Sequence, residues 1–191
     1  MQEYIKHIFN ESIDLKYKIL GDYNIINSIK EVIESILTTY RNNGKVILCG
    51  NGGSATDALH IAGELVGRFK LERRSLPAIV LNADIATLSA IANDYGYENI
   101  FCRQIESMML DNDILIGIST SGNSENVYKA IETAKIQGKK TIALLGNDGG
   151  KIKNIADISI IIPSNNTARI QECHITIGHI ICEIVEKETF K

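Results

Sequence analysis

Five short apolar runs alternate with longer stretches of helical periodicity over most of this chain, and that order limits what the chain can fold into. The runs are Lys45–Cys49, Ala78–Leu81, Asp113–Ile118, Thr141–Leu145 and Ile158–Ile162. Several are continuous rather than alternating, as expected of strands covered on both faces. Helical patterns lie between them at Ser54–Arg68, around Ile85–Asn93, at Tyr97–Met109 and at Ser124–Gln137. A closing helix is expected from about Ala168 to Lys187. Strands alternating with helices predict an α/β fold, a three-layer α/β/α sandwich on a central parallel sheet. Gly44, Gly138 and Gly149-Gly150 fall between elements and Pro163 ends the last run, so the punctuation agrees.

Residues 1–43 read as helices that precede this core. Ile5, Ile8, Phe9 and Ile13 begin one apolar stripe, and Ile25, Ile29, Val32, Ile33, Ile36, Leu37 and Tyr40 form a second at 3.6 spacing. Gly21 and Asp22 separate the two, and Asn42-Asn43-Gly44 stops the second. A chain of 191 residues with 45% hydrophobic content suits one domain, with residues 44–191 as its α/β core.

Charge and composition narrow the function. A net charge of −3 and the absence of any block of Lys and Arg argue against nucleic-acid binding through a basic face. No apolar run reaches the roughly 18 residues a membrane span needs. The polar start MQEYIKHIFNESIDLKYK does not read as a signal peptide. Cys49, Cys102, Cys173 and Cys182 form no CxxC and fit reduced core thiols, so a cytoplasmic protein is expected.

Two strand-to-helix junctions are rich in glycine and hydroxyls. Gly50-Asn51-Gly52-Gly53-Ser54 follows the first strand, and Ser119-Thr120-Ser121-Gly122-Asn123-Ser124 follows the third. Glycines let backbone approach an anion closely, and a helix start offers free N–H groups and a positive dipole end. In the second loop four hydroxyls, of Ser119, Thr120, Ser121 and Ser124, add donors suited to a phosphate. Neither loop has Walker or dinucleotide spacing. Ordinary N-capped turns would look similar, but two such loops at strand carboxyl ends mark the place where α/β proteins bind ligands.

Polar groups at helical spacing complete the picture. His60 and Glu64 are four apart and share a helix face, as do Gln171 and His179, eight apart. If the fold joins the two faces, they form a metal site or an acid/base pair. His174 reads instead as a hydrogen-bonded core histidine, and His7 as an exposed one.

Taken together, GNGGSATDALHIAGELVGRF, AIANDYG, ISTSGNSENV, GNDGG and ARIQECHITIGHIICEIVE resemble the sugar isomerase (SIS) domain family over nearly the whole chain. The likeness is strongest to its phosphoheptose isomerase branch. The resemblance implies a flavodoxin-like sandwich, a homotetramer with sites near subunit interfaces, and N-terminal helices that serve packing and oligomerisation. It implies one zinc ion per subunit on His60, Glu64, Gln171 and His179. Substrate contacts would fall on Asn51, Gly52, Gly53, Glu64, Asn93, Asp94, Ser119, Thr120, Ser121, Ser124 and Gln171. Glu64 and His179 would be the catalytic base and acid in converting sedoheptulose 7-phosphate to an aldose 7-phosphate. Asp94 and Arg68 have a secondary claim, in ring opening or orientation, against a loop cap and a surface ion pair. Non-catalytic SIS proteins that bind the bacterial replication initiator are the main rival, but they lack the Glu and closing His found here. Other sugar-phosphate isomerases of the family are a second rival, usually with extra domains or different loops.

Gly178, beside His179 inside the closing helix, reads as a point of close backbone approach, since mid-helix glycine costs roughly 0.5–1 kcal/mol relative to alanine. The neighbour is expected to be a second subunit, with a core side chain of the same subunit as the alternative.

Overall fold

In the computed structural model, which describes residues 1–191, the apolar runs form five strands: β1 (Val46–Gly50), β2 (Ala78–Val80), β3 (Ile114–Ser119), β4 (Lys140–Gly146) and β5 (Ile158–Ile162). All neighbours pair in parallel, in the order β2-β1-β3-β4-β5. This is the flavodoxin-type order, with its topological switch between β1 and β3.

Seven α-helices surround the sheet: α1 (Gln2–Gly21), α2 (Tyr23–Arg41), α3 (Gly53–Val66), α4 (Ile85–Tyr95), α5 (Cys102–Met108), α6 (Glu125–Ile136) and α7 (Thr167–Thr189). Strand side chains alternate between faces. Val46, Leu48, Ile114, Ile116, Ile142, Leu144, Ile158 and Ile160 point into one core with α2, α3 and α7. Ile47, Cys49, Leu115, Ala143 and Leu145 point into a second with α5 and α6. Burial on both faces explains why the runs read as continuous apolar stretches. Gly117 assists on the second face, where an added Cβ would lie 2.8 Å from Val127 and 2.9 Å from Ile131 of α6.

The two N-terminal helices differ in standing. Asp22 caps α2, its carboxylate accepting from the backbone N–H groups of Asn24 (2.9 Å) and Ile25 (3.3 Å). Six apolar residues of α2, from Ile25 to Leu37, belong to the same core as the strands, so α2 is one of the sandwich helices. From α1 only Leu15 and Ile19 are buried, while Tyr4, Ile5, Phe9, Ile13, Tyr17 and Leu20 are exposed.

One expected helix is broken. Tyr97–Met109 divides into a single 3-10 turn, Tyr97–Asn99, and α5. Asn99 donates its side-chain amide back to the carbonyl of Tyr95 at the end of α4, an alternative bond that competes with continuing the helix.

Gly178 packs inside its own chain. A Cβ there would stand 2.7 Å from Ile61 Cγ1 and 2.8 Å from Ile61 Cδ1, so the glycine lets α7 close on α3. This corrects the expectation of a second subunit at that point, because the space is already filled by α3. His174 is fully buried, as expected, its Nε2 donating to the Leu145 carbonyl at 3.0 Å. The four cysteines are buried and unpaired, and burial pushes the Cys49 and Cys182 thiols up to about 12.

Two stability effects follow. Gly178→Ala should destabilise by about 1–3 kcal/mol, as overpacking does, and adding Ile61→Ala should recover part of the loss in thermal melts. Burial holds His174 down at about 4 from 6.5, against the pull of the Leu145 carbonyl. Its neutral form therefore contributes stability above pH 6.5 that is lost as pH falls toward 4. Melting temperature should fall across that window, and His174→Gln should flatten the fall.

Candidate active site

The parallel course of α3 and α7 brings three side chains together. His179 Nε2 lies 3.2 Å from His60 Nε2, which lies 3.2 Å from Glu64 Oε1. Ligand atoms of all three fall within 4.8 Å of one another. The two rings meet edge-on at 70°, centroids 4.9 Å apart. His60 Nε2 faces both other groups yet has room for one proton, so neutral hydrogen bonding alone cannot satisfy the cluster. A cation at its centre would meet all three groups. Two imidazoles and a carboxylate are also the donor set of catalytic metal sites that keep a position open, so these residues fit a divalent ion. Asp57, one turn before His60, has a buried Oδ2 with no partner, and burial raises its pKa to about 6 against the lowering influence of His60.

A buried ion pair holds the cluster in shape. The Glu186 carboxylate accepts from the backbone N–H groups of Phe69 (2.8 Å), Lys70 (2.7 Å) and Leu71 (2.9 Å), and from Arg73 Nε (2.8 Å). Burial alone would raise its pKa, but these donors outweigh it and hold the group at about 2. Arg73 in turn donates to the carbonyls of Glu64 (2.8 Å) and Leu65 (2.9 Å), the last turn of α3. The segment it shapes carries Phe69, whose ring centroid lies 5.7 Å from that of His179. Thus α7 bears His179 and, two turns on, the acid that fixes the end of the helix bearing Glu64. The one sequence signal for this pair was an acid at the helical repeat of the buried Cys182.

The two loops leave the neighbouring strands β1 and β3 at the switch point. Gly52 takes φ +52°, and Gly53 opens α3 directly beneath Gln171, whose Nε2 would be 2.4 Å from an added Cβ. Gln171 therefore meets the glycine turn, its backbone about 12 Å along α7 from that of His179. Eight residues keep a face but not a height.

In the second loop Ser119 is buried, its hydroxyl 2.9 Å from that of Ser124 and 3.5 Å from that of Ser121. Thr120 and Ser124 are half-buried and Ser121 is exposed. Ser124 is the N-cap of α6, yet its side chain makes no capping bond. Gly122 (φ +66°) rests on the Gly149-Gly150 turn, where a Cβ would be 2.2 Å from the Gly149 carbonyl oxygen.

Polar partners missed in the sequence tie the loops together. Asn51 and Asn126 exchange two side-chain bonds, 2.8 and 2.9 Å, and the Tyr97 hydroxyl donates to Asn51 Oδ1 at 3.0 Å. Asn82 brackets Gly50 in the same reciprocal way, at 3.2 and 2.8 Å. Asn93 and Asp94, exposed at the end of α4, bond to each other at 2.8 Å. Arg68 is exposed and reaches only Glu72, at 3.8 Å.

Comparison with known proteins accords with this geometry. The SIS domain family matches residues 23–146. The phosphoheptose isomerase of Sulfurimonas denitrificans is 52% identical over 190 residues, covering 100% of this chain and 97% of the relative. Solved structures of phosphoheptose isomerases from Neisseria gonorrhoeae (TM-score 0.91, 39% identity) and Francisella tularensis (0.92, 38%) each cover 97% of this chain and 98% of their own. With the sheet order, the paired loops and the His–Glu–His cluster in place, the chain belongs to the SIS domain family and, within it, to the phosphoheptose isomerases.

Proposed function

We propose that this chain converts sedoheptulose 7-phosphate to D-glycero-D-manno-heptose 7-phosphate, an early step toward nucleotide-activated heptose for lipopolysaccharide core, capsule or another surface glycan. The observation that carries the reading is the meeting of Glu64 and His179 on one helix pair that starts at the glycine turn. His60 lies about 10 Å along α3 from Gly53, and Asn51 bonds the glycine turn to the start of α6.

The chemistry follows from residue types. Glu64 would take a proton from C1 of the ketose, giving an enediol, and return a proton to C2. His179 would move a proton from the C1 oxygen to the C2 oxygen, leaving the aldehyde at C1 and a hydroxyl at C2. Glu64 uses Oε1 toward His60, so its second oxygen is the one to work on carbon. The Phe69 ring lies tilted at 42° beside that of His179, an apolar neighbour that would limit water on that side. Zinc, bound by His60, Glu64 and His179, would supply a Lewis acid beside the carbonyl. For Gln171 to act as a fourth ligand, its amide must leave Gly53. The phosphate would sit on Thr120, Ser121, Ser124 and the N–H groups that open α6.

A homotetramer is part of the reading. The unpartnered apolar side chains of α1 support it, as does the groove of Ile26, Ile29, Ile33, Ile180 and Ile184 between α2 and α7. The buried free thiols support a reducing compartment, the cytoplasm.

Incubation with sedoheptulose 7-phosphate, followed by NMR of the product, tests the activity directly. Glu64→Gln and His179→Ala should each lower kcat about 10²–10⁴-fold with the fold intact by circular dichroism. A variant keeping more than about a tenth of the wild-type rate would remove that residue from its role. Elemental analysis should find about one zinc per chain, strippable by chelator, and zinc-free protein of full activity would exclude the ion. Ser121→Ala and Ser124→Ala should raise KM more than they lower kcat, because phosphate is held alike in ground and transition states. Unchanged KM in both would move the phosphate to the glycine turn.

A further inference from the structure

The bonds between Asn51, Asn126 and Tyr97 have a forced direction. Asn126 stands on the first turn of α6, where backbone N–H groups lack helical partners. The N–H of Val127 donates to Asn126 Oδ1 at 2.9 Å. A backbone N–H is only a donor, so the Asn126 amide cannot be turned over without setting donor against donor. Its Oδ1 then also accepts from Asn51 Nδ2 (2.8 Å), which fixes the Asn51 amide in turn. Asn51 Oδ1 accepts from Asn126 Nδ2 (2.9 Å) and from the Tyr97 hydroxyl (3.0 Å), filling both lone pairs. The one hydrogen-bonding capacity left on the Asn51 side chain is an N–H.

We propose that Asn126 and Tyr97 are positioning residues that fix Asn51 as a hydrogen-bond donor to the sugar, so that the site selects an oxygen acceptor at that point. Asn126 is buried, with 3% of its surface exposed, and serves no other partner than Asn51 and its own helix. Tyr97 is 61% exposed, yet its hydroxyl is spent on Asn51. The three residues come from three separate segments, after β1, at the start of α6 and after α4. Their bonds therefore also set the spacing between the glycine turn, the hydroxyl loop and the Asn93-Asp94 segment.

The proposal rests on the isomerase reading, so its test has a readout independent of turnover. Calorimetric titration with sedoheptulose 7-phosphate gives Kd, and steady-state assays give KM and kcat, for wild type, Tyr97→Phe, Asn126→Ala and the double variant. Tyr97→Phe changes one exposed ring and should fold. It should raise Kd and KM about threefold to tenfold, with kcat changed less. Asn126→Ala should raise both about tenfold or more. The double variant should match Asn126→Ala within about twofold, because both changes act through the freed Asn51 amide. Thermal melts separate folding loss from these effects. Unchanged Kd and KM in Tyr97→Phe, or fully multiplicative effects in the double variant, would overturn the proposal. Wild type that binds the sugar phosphate without converting it defeats the isomerase reading alone, and Kd still decides the positioning role. Wild type that neither binds nor converts it defeats both.

Discussion

Ile61 of α3 fills the space that a side chain at position 178 of α7 would need, and the proposed catalytic cluster depends on that contact. His60 precedes Ile61 and His179 follows Gly178, so the closeness of the two backbones brings the imidazoles to 3.2 Å. A longer residue at 178 would separate the helices and with them the two halves of the site. Glycine in mid-helix costs roughly 0.5–1 kcal/mol, which burial of Ile61, Ile177 and Ile181 at about 1.5–3 kcal/mol each more than offsets. The same packing thus stabilises the fold and assembles its chemistry.

Packing sets the distance between α3 and α7; the Arg73–Glu186 pair sets their ends. Both side chains are nearly inaccessible, at 2% and 3% exposure. Burying two charges is costly unless every donor and lone pair is used. Here the carboxylate takes four N–H donors and the guanidinium reaches main-chain carbonyls, so the charges are spent on shaping backbone. The carbonyl of Glu64 itself is among those acceptors, which places the proposed base at the anchored end of its helix.

How much of this could be read from the sequence follows from the range of the forces involved. Strands buried on both faces leave continuous apolar runs, so β1, β3, β4 and β5 were legible within a residue or so at each end. His60 and Glu64 were legible because four-residue spacing is a local rule, and His179 because spacing put it on a polar face with Gln171 that family likeness then paired with the first. The partners that make the site rigid were not. Asn51 and Asn126 lie 75 residues apart, and Phe69 and Glu186 lie 117 apart. No local pattern records which amide or acid will find which loop. The break at Asn99 was missed for a similar reason, since a side chain bonding back to the preceding helix looks like any polar residue in a helical stretch. Gln171 shares a face with His179 at a spacing of two turns, and its amide meets Gly53 at the start of α3, a contact that periodicity does not record.

Around the hydroxyl loop, the proposed phosphate site, the nearby lysines are engaged elsewhere. Lys151 is engaged by Glu125 and by the Tyr128 ring, its Nζ 4.5 Å from the centroid. Lys129 donates to Asn99 at 3.0 Å and lies 3.7 Å from Glu98. Both lysines are thereby held to structural partners around α6. What would remain for a phosphate is the helix start, the Thr120, Ser121 and Ser124 hydroxyls, and the loop's backbone N–H groups, all oriented by the fold. Oriented dipoles hold an anion only at a fixed place, so affinity there becomes a matter of shape. That suits an enzyme whose other end moves protons. In the proposed mechanism the phosphate would anchor the chain, the Asn51–Asn126 pair would set the spacing of the loops, and the proton transfers would fall to the cluster that α3 and α7 hold two turns away.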